Sequence, residues 1–250
     1  MRAGRTGENA GGEMGKQIIA AVTTLALGLL GLATAAQAAS HVSVSVNQFG
    51  VQVNGDASAN SIQLANLVDP QCPGGSPCRE VNAGNAVIVA AAPCVIRSGS
   101  GGHTALCPIN QDEPGIGVRA GGGNDDIVVS NSVGVGAKIG LSGGRGKDTL
   151  QGSLAEEVIS GDDGNDTIRA GRGDDIAFGD AGRDRIFGSK GQDLIKGGGG
   201  FDNLIGGPGG DHLFGQGGND GMDGSQGRDV CTGGSGRDTA RHCERLRSTP

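Results

Sequence analysis

The sequence predicts an all-β repeat protein, a stack of short strands turned by glycines. Glycine supplies 52 of the 250 residues, and from Gly143 onward glycine and aspartate recur every nine residues. The chain has five Phe, no Trp and no Tyr. Glycine at this level, without a three-residue period or high proline, excludes collagen. So few aromatics exclude a conventional core of large side chains. Low hydrophobicity with Gly and Asp enrichment would otherwise point to disorder, so the order of the glycines decides. A fixed short period selects a solenoid, in which each repeat buries its apolar side against its neighbours.

Residues 1–38 read as a secretory signal peptide. Lys16 precedes the apolar run Ile18 to Leu32, and Ala36-Gln37-Ala38 is an A-x-A cleavage site. Met14 would give the more usual starting length. A retained membrane anchor is the alternative, because Ile18 to Ala39 carries no charge. Cleavage after Ala38 removes Arg2, Arg5, Lys16, Glu8 and Glu13, three cations and two acids, and takes the net charge from −7 to −8. An acidic mature chain is a poor partner for nucleic acid or an anionic membrane surface. All six cysteines, Cys72, Cys78, Cys94, Cys107, Cys231 and Cys243, lie in the exported part. In an oxidising compartment they read as three disulfides. Thiolate metal sites are the alternative, with no paired CxxC and histidines at zinc spacing to support them.

Residues 39–119 predict a small β module. Val42, Val44 and Val46 alternate with polar residues, as do Phe49, Val51 and Val53 after a one-residue slip. Asn54-Gly55 is a turn signal, and Ile62-Gln63-Leu64 and Ala86 to Ala90 read as further strands. Staples Cys72–Cys78 and Cys94–Cys107 are the preferred pairing, although four cysteines allow three connectivities. Such a module could cover the open first coil, since solenoid ends must be capped.

Residues 120–241 carry the repeat. Units begin at Gly143, Gly152, Gly161, Ala170, Gly179, Gly188, Gly197, Gly206, Gly215, Gly224 and Gly233. Position six of these reads Asp148, Glu157, Asp166, Asp175, Asp184, Asp193, Asp202, Asp211, Asp220, Asp229 and Asp238. Ten of eleven are Asp, where ordinary usage would give roughly 6% per position. Position four is Gly except at Ala155, and position eight is always apolar or Cys. An isolated copy stands upstream, Gly121-Gly122-Gly123-Asn124-Asp125-Asp126-Ile127-Val128. The residues between, Val129 to Ser142, contain no Asp and read as one degenerate turn plus a short loop.

Gly143-Gly144-Arg145-Gly146-Lys147-Asp148-Thr149-Leu150-Gln151 resembles the nonapeptide of the hemolysin-type calcium-binding, or repeats-in-toxin (RTX), family at every defined position. The resemblance implies a parallel β-roll with two nonapeptides per coil and Ca²⁺ in the turns between coils. Its implied ligands are Asp125, Asp148, Asp166, Asp175, Asp184, Asp193, Asp202, Asp211, Asp220, Asp229 and Asp238. Independently, coils stack about 4.8 Å apart, so position-six carboxylates two units apart face one another. A bare pair repels by roughly 3 kcal/mol at an effective dielectric of 20, and a divalent cation reverses the sign. Carboxylates with backbone carbonyls are hard oxygen ligands, which favours Ca²⁺ over Zn²⁺ or Mg²⁺. One column, Asp148 to Asp238, encloses five slots, and the other, Glu157 to Asp229, encloses four. The slot beside Glu157 is expected to be poor, because Glu is a methylene too long and Ser153-Leu154-Ala155 lacks the turn glycines.

Cys231 sits at an inward position eight and Cys243 just beyond the last unit, so a bridge between them would close the far end. Arg241 to Pro250, including the tail 242–250, then reads as a solvated basic segment. An enzyme is not expected. His41, His103, His212 and His242 form no His-x-x-x-His pair, there is no G-x-S-x-G, and Gly146-Lys147 precedes Asp148 rather than the Ser or Thr of a P-loop. No long apolar segment beyond the signal peptide suggests membrane insertion of the mature chain, and position seven lacks a Thr ladder for ice. The N-terminal signal departs from the toxin branch, which leaves through a dedicated exporter, so toxin activity is not carried over. The expected function is an extracellular, calcium-dependent structural or adhesive protein whose protein or glycan partner is unknown. The alternative is an exported enzyme or toxin-like protein with a calcium-dependent accessory roll. No face of repeated exposed side chains is evident from sequence.

Overall fold

Alternation along each repeat sets the fold: side chains at positions six and eight and the glycine at position one turn inward, while seven and nine face out. The computed structural model describes residues 41–47, 50–58, 60–67, 78–82, 87–90, 95–96, 104–108, 115–130 and 138–247. The signal peptide expected over 1–38 lies outside them, as do Cys72, Cys94 and His103. So do the side chains of Cys78 and Cys107, and with them both N-terminal staples. The strands form two sheets, each of eleven described strands, and from Ile116 onward successive strands fall alternately into one and the other, with no helix among the described residues.

From Lys138 to Arg241 every strand pairs in parallel with the strand of the next coil, eighteen residues on, while the offset is 23 residues into Lys138–Arg145 and Thr149–Gln151 and 15 into Arg245–Arg247. Thr149 lies beside Thr167, Ile168 beside Ile186, and Ile159 beside Ala177. Two nonapeptides thus make one coil of a parallel β-roll. Strand length varies within the roll: Thr149–Gln151 and the last strands have three residues, and Glu156–Gly164 runs to nine. The pairing continues into the turns, where Gly144 lies beside Asp162. Position eight fills the interior: Leu150, Ile159, Ile168, Ile186, Ile195, Leu204 and Leu213 are fully buried. Each contributes about 1.5–3 kcal/mol of burial, in a core too narrow for a second layer.

The two outward faces differ in the side chains that stacking aligns. On one sheet, parallel register aligns Val158, Ile176 and Leu194 in one column and Phe178, Lys196 and Phe214 in the next. Val158 is 49% exposed, and Lys196 lies over the Phe178 ring. The other sheet presents Thr149, Thr167, Arg185 and Asn203, with Arg169 and Arg185 both over Phe187. Coil-to-coil stacking, which sequence spacing alone does not display, gathers these side chains.

The module expected over 39–119 shares both sheets with the roll. Gly50–Asn54 pairs in parallel with Ile116–Gly122, and Ser61–Leu67 with Asp126–Val129, so residues 50–64 make a first coil. His41–Asn47 and Cys78–Asn82 then pair antiparallel on this coil, with Val42, Val44 and Val81 buried over its end. The degenerate turn between Val129 and Ser142 supplies a strand of a regular coil, Lys138–Arg145, which pairs with Ile116–Gly122 and Glu156–Gly164. At the other end Cys231 and Cys243 form a disulfide. The chain beyond it is not a free basic tail up to residue 247: Arg245–Arg247 adds a parallel strand beside Val230–Ser235.

Candidate metal centre

The slots are built by the turns. Position two takes positive φ in every unit but that of Ser153, by glycine at positions such as Gly144, Gly198 and Gly207 and by Asp162, Asp180, Ser189, Gln216 and Ser225 at φ of 70° to 85°. This left-handed residue reverses the chain between the sheets, and Asp is among the few side chains that tolerate it. In the regular turns position four has no room for a side chain, Ala155 being the exception within the repeat: a Cβ on Gly182, at φ 137°, would run into the carbonyl oxygen of Gly164 one coil earlier. Position-five amides add a ladder that the sequence pattern did not reveal. Asn165 Oδ1 accepts the Arg183 N–H and Asn219 Oδ1 the Arg237 N–H, both at 2.8 Å; Asn124 and Asp174 do likewise for Lys147 and Gln192.

Position-six carboxylates stack as expected, one column from Asp125 to Asp238 and the other from Glu157 to Asp229. Of the eleven predicted ligands, Asp125, Asp148, Asp166, Asp175, Asp184, Asp193, Asp202, Asp211, Asp220 and Asp229 are buried at 3% exposure or less. Asp238, with no following coil, is half-buried. Each carboxylate divides its two oxygens. Oδ1 accepts the backbone N–H of the position-six residue one coil before, as Asp184 Oδ1 does from Asp166 at 2.8 Å and Asp202 Oδ1 from Asp184 at 2.8 Å. Oδ2 of the ten buried aspartates has no hydrogen-bond partner. A buried, unpartnered charged oxygen costs several kcal/mol, and here that cost recurs in every coil.

Oδ2 points into a cradle beside the position-one glycine. A Cβ on Gly197 would lie 2.5 Å from Asp202 Oδ2 and 2.9 Å from the Gly215 carbonyl oxygen of the next coil. Glycine leaves that oxygen-lined space open. Burial first, then the neighbouring carboxylates, push Asp166 and Asp211 up to about 7. Burial raises Asp125, Asp193 and Asp202 to about 6, and it raises Asp148, Asp175, Asp184 and Asp220 as well. A divalent cation would hold them ionised. No group of three or more His, Cys, Asp or Glu side chains that could hold a metal occurs among the described residues. An ion would therefore complete its shell with main-chain carbonyls, which suits Ca²⁺ and not a zinc cage. The residues fit calcium.

Both columns change at their amino-terminal ends. Glu157 is buried, and its extra methylene folds the carboxylate back onto its own turn, where Oε1 accepts from Ser153 N at 3.1 Å and from Ser153 Oγ. Upstream of it, the position-six register holds Ile139, Ile116 and Val51. The column of Asp125 ends instead at Asn60, whose N–H donates to Asp125 Oδ1.

Stacked, backbone-rich oxygen slots on a two-sheet parallel solenoid define the class, a metal-binding β-roll. Residues 141–168, 160–195, 196–231 and 205–240 match the family model of the RTX calcium-binding nonapeptide repeat in four copies. Residues 141–240 of this chain thus carry RTX-type calcium-binding nonapeptide repeats. No curated protein and no solved structure matches the chain.

Proposed function

We propose that the chain is an exported, non-enzymatic protein whose roll folds around stacked Ca²⁺ ions and serves a structural or adhesive role outside the cell. The two columns of buried, unpartnered Oδ2 atoms carry this reading: ten aspartates aim a bare oxygen at an oxygen-lined space that suits a cation. The Cys231–Cys243 bridge favours an oxidising exterior. The aligned Val158, Ile176 and Leu194 column favours contact with another surface over a purely solvated rod. Far-ultraviolet circular dichroism of the chain in EDTA and then in millimolar calcium tests the folding role. At pH 8 strand signal should appear only with calcium, and equal signal in both would sink the reading. Recovery of a chain beginning at Ala39 from the medium or cell surface tests the location, and retention inside the cell would refute it.

A further inference from the structure

Asn60 occupies position six of a coil whose sequence hides the repeat. Gly55-Asp56-Ala57-Ser58-Ala59-Asn60-Ser61-Ile62 keeps Gly at one, a small residue at four and an apolar residue at eight. Its backbone follows the array: Asp126 N donates to Asn60 O at 2.8 Å, as Thr149 N does to Asp125 O. Asn60 is 4% exposed, and Gly55 stands beside it as Gly197 stands beside Asp202. A Cβ on Gly55 would meet the Ala120 carbonyl oxygen and the Asn60 Nδ2, the latter at 2.7 Å. Elsewhere that cradle pairs a carboxylate oxygen with the next coil's carbonyl, two acceptors facing each other. Here Nδ2 donates to Ala120 O at 2.9 Å and to Ser58 O at 2.6 Å. The two amide hydrogens point at the carbonyls that would otherwise face a cation.

We propose that the Asn60 side-chain amide replaces a calcium ion in the slot between coil 50–64 and coil 115–129, so the amino-terminal coil docks without metal. Neutral Asn also removes one of the two charges that would repel across the slot with Asp125. In the other column the same end is apolar, with Val51, Ile116 and Ile139 in register. Both columns thus stop short of the cap, and Asp125 begins the calcium array.

This inference rests on the calcium reading, and the test separates the two. Bound calcium is counted by native mass spectrometry at saturating calcium for the full chain and for Asn60→Asp and Asn60→Ala, together with amide hydrogen exchange. Asn60→Asp should bind one ion more than the parent. Asn60→Ala should bind the parent's number while exchange at Ser61–Leu64 speeds at least tenfold. An unchanged count in a folded Asn60→Asp overturns the proposal, as does unchanged exchange in Asn60→Ala, which decides the matter if Asn60→Asp does not fold. A parent that binds no calcium overturns the calcium reading instead.

Discussion

Asp184→Ala tests whether neighbouring slots share ligands. Asp184 Oδ1 accepts the Asp166 N–H at 2.8 Å, while its Oδ2 stands with the Gly197 carbonyl around the next slot. One substitution therefore damages two slots. It leaves the buried Asp166 N–H without a partner, at about 1–3 kcal/mol. Each calcium site held tenfold above its dissociation constant stabilises by about 1.4 kcal/mol, so losing two adds about 3. The expected loss is about 4–6 kcal/mol and two ions. Asp238→Ala is the control: half-buried at the end, it accepts from Asp220 N at 3.0 Å, and should cost one ion and about 2–4 kcal/mol. An interior break also splits the solenoid into two short stacks, whereas an end loss shortens one. Calcium stoichiometry and melting temperature are compared at the same free calcium. Equal losses from both variants would mean each site is built within its own turn, and shared slots would have to be abandoned.

The pH response of the ion-free chain follows from the raised carboxylates. A folded-state value near 7 for Asp166 and Asp211, above the ordinary 3.8, stabilises the roll while those groups are protonated and is lost as pH rises through about 7. In EDTA, strand signal should grow between pH 8 and pH 5, while calcium uptake weakens over the same range; signal falling on acidification would contradict this. Joint replacement of Cys231 and Cys243 by Ser should loosen the last coils by roughly 3 kcal/mol, the chain-entropy value for a loop near 15 residues. Amide exchange should quicken at Val230–Ser235 and stay unchanged at Thr167–Arg172, and uniform quickening would show that the bridge does not act locally.

The repeat was legible because its physics is written at fixed positions. Carboxylates at six, glycine at four and an apolar residue at eight gave the coil, both ligand columns and the inward Cys231. Coil 50–64 was not legible as part of the roll. Asn60 replaces the marker Asp, Ser58 the marker Gly, and Asn54-Gly55 reads as an ordinary hairpin turn. Ile62 at position eight was the remaining signal, and alone it cannot be told from any strand residue. The position-five amide ladder was missed because Asn124, Asn165, Asp174 and Asn219 recur too irregularly to show a period. Outward columns such as Val158, Ile176 and Leu194 exist only after stacking, since eighteen residues separate neighbours that touch.

Strand pairing at an eighteen-residue offset from Lys138 to Arg241 also bears on the order in which the molecule can assemble. Each added coil closes a loop of eighteen residues, or 23 between coil 115–129 and the next, so growth along the array is a series of short steps of similar length. The junction at Asn60 is different, because its partner Asp125 is 65 residues away. By the logarithmic law of loop closure this costs about 1 kcal/mol more than an eighteen-residue step. The amino-terminal coil is therefore the slow arrival, docking onto coils that are already complete. A junction held by an amide rather than by an ion lets that late step proceed at a rate indifferent to the calcium supply, even though the platform it lands on is not.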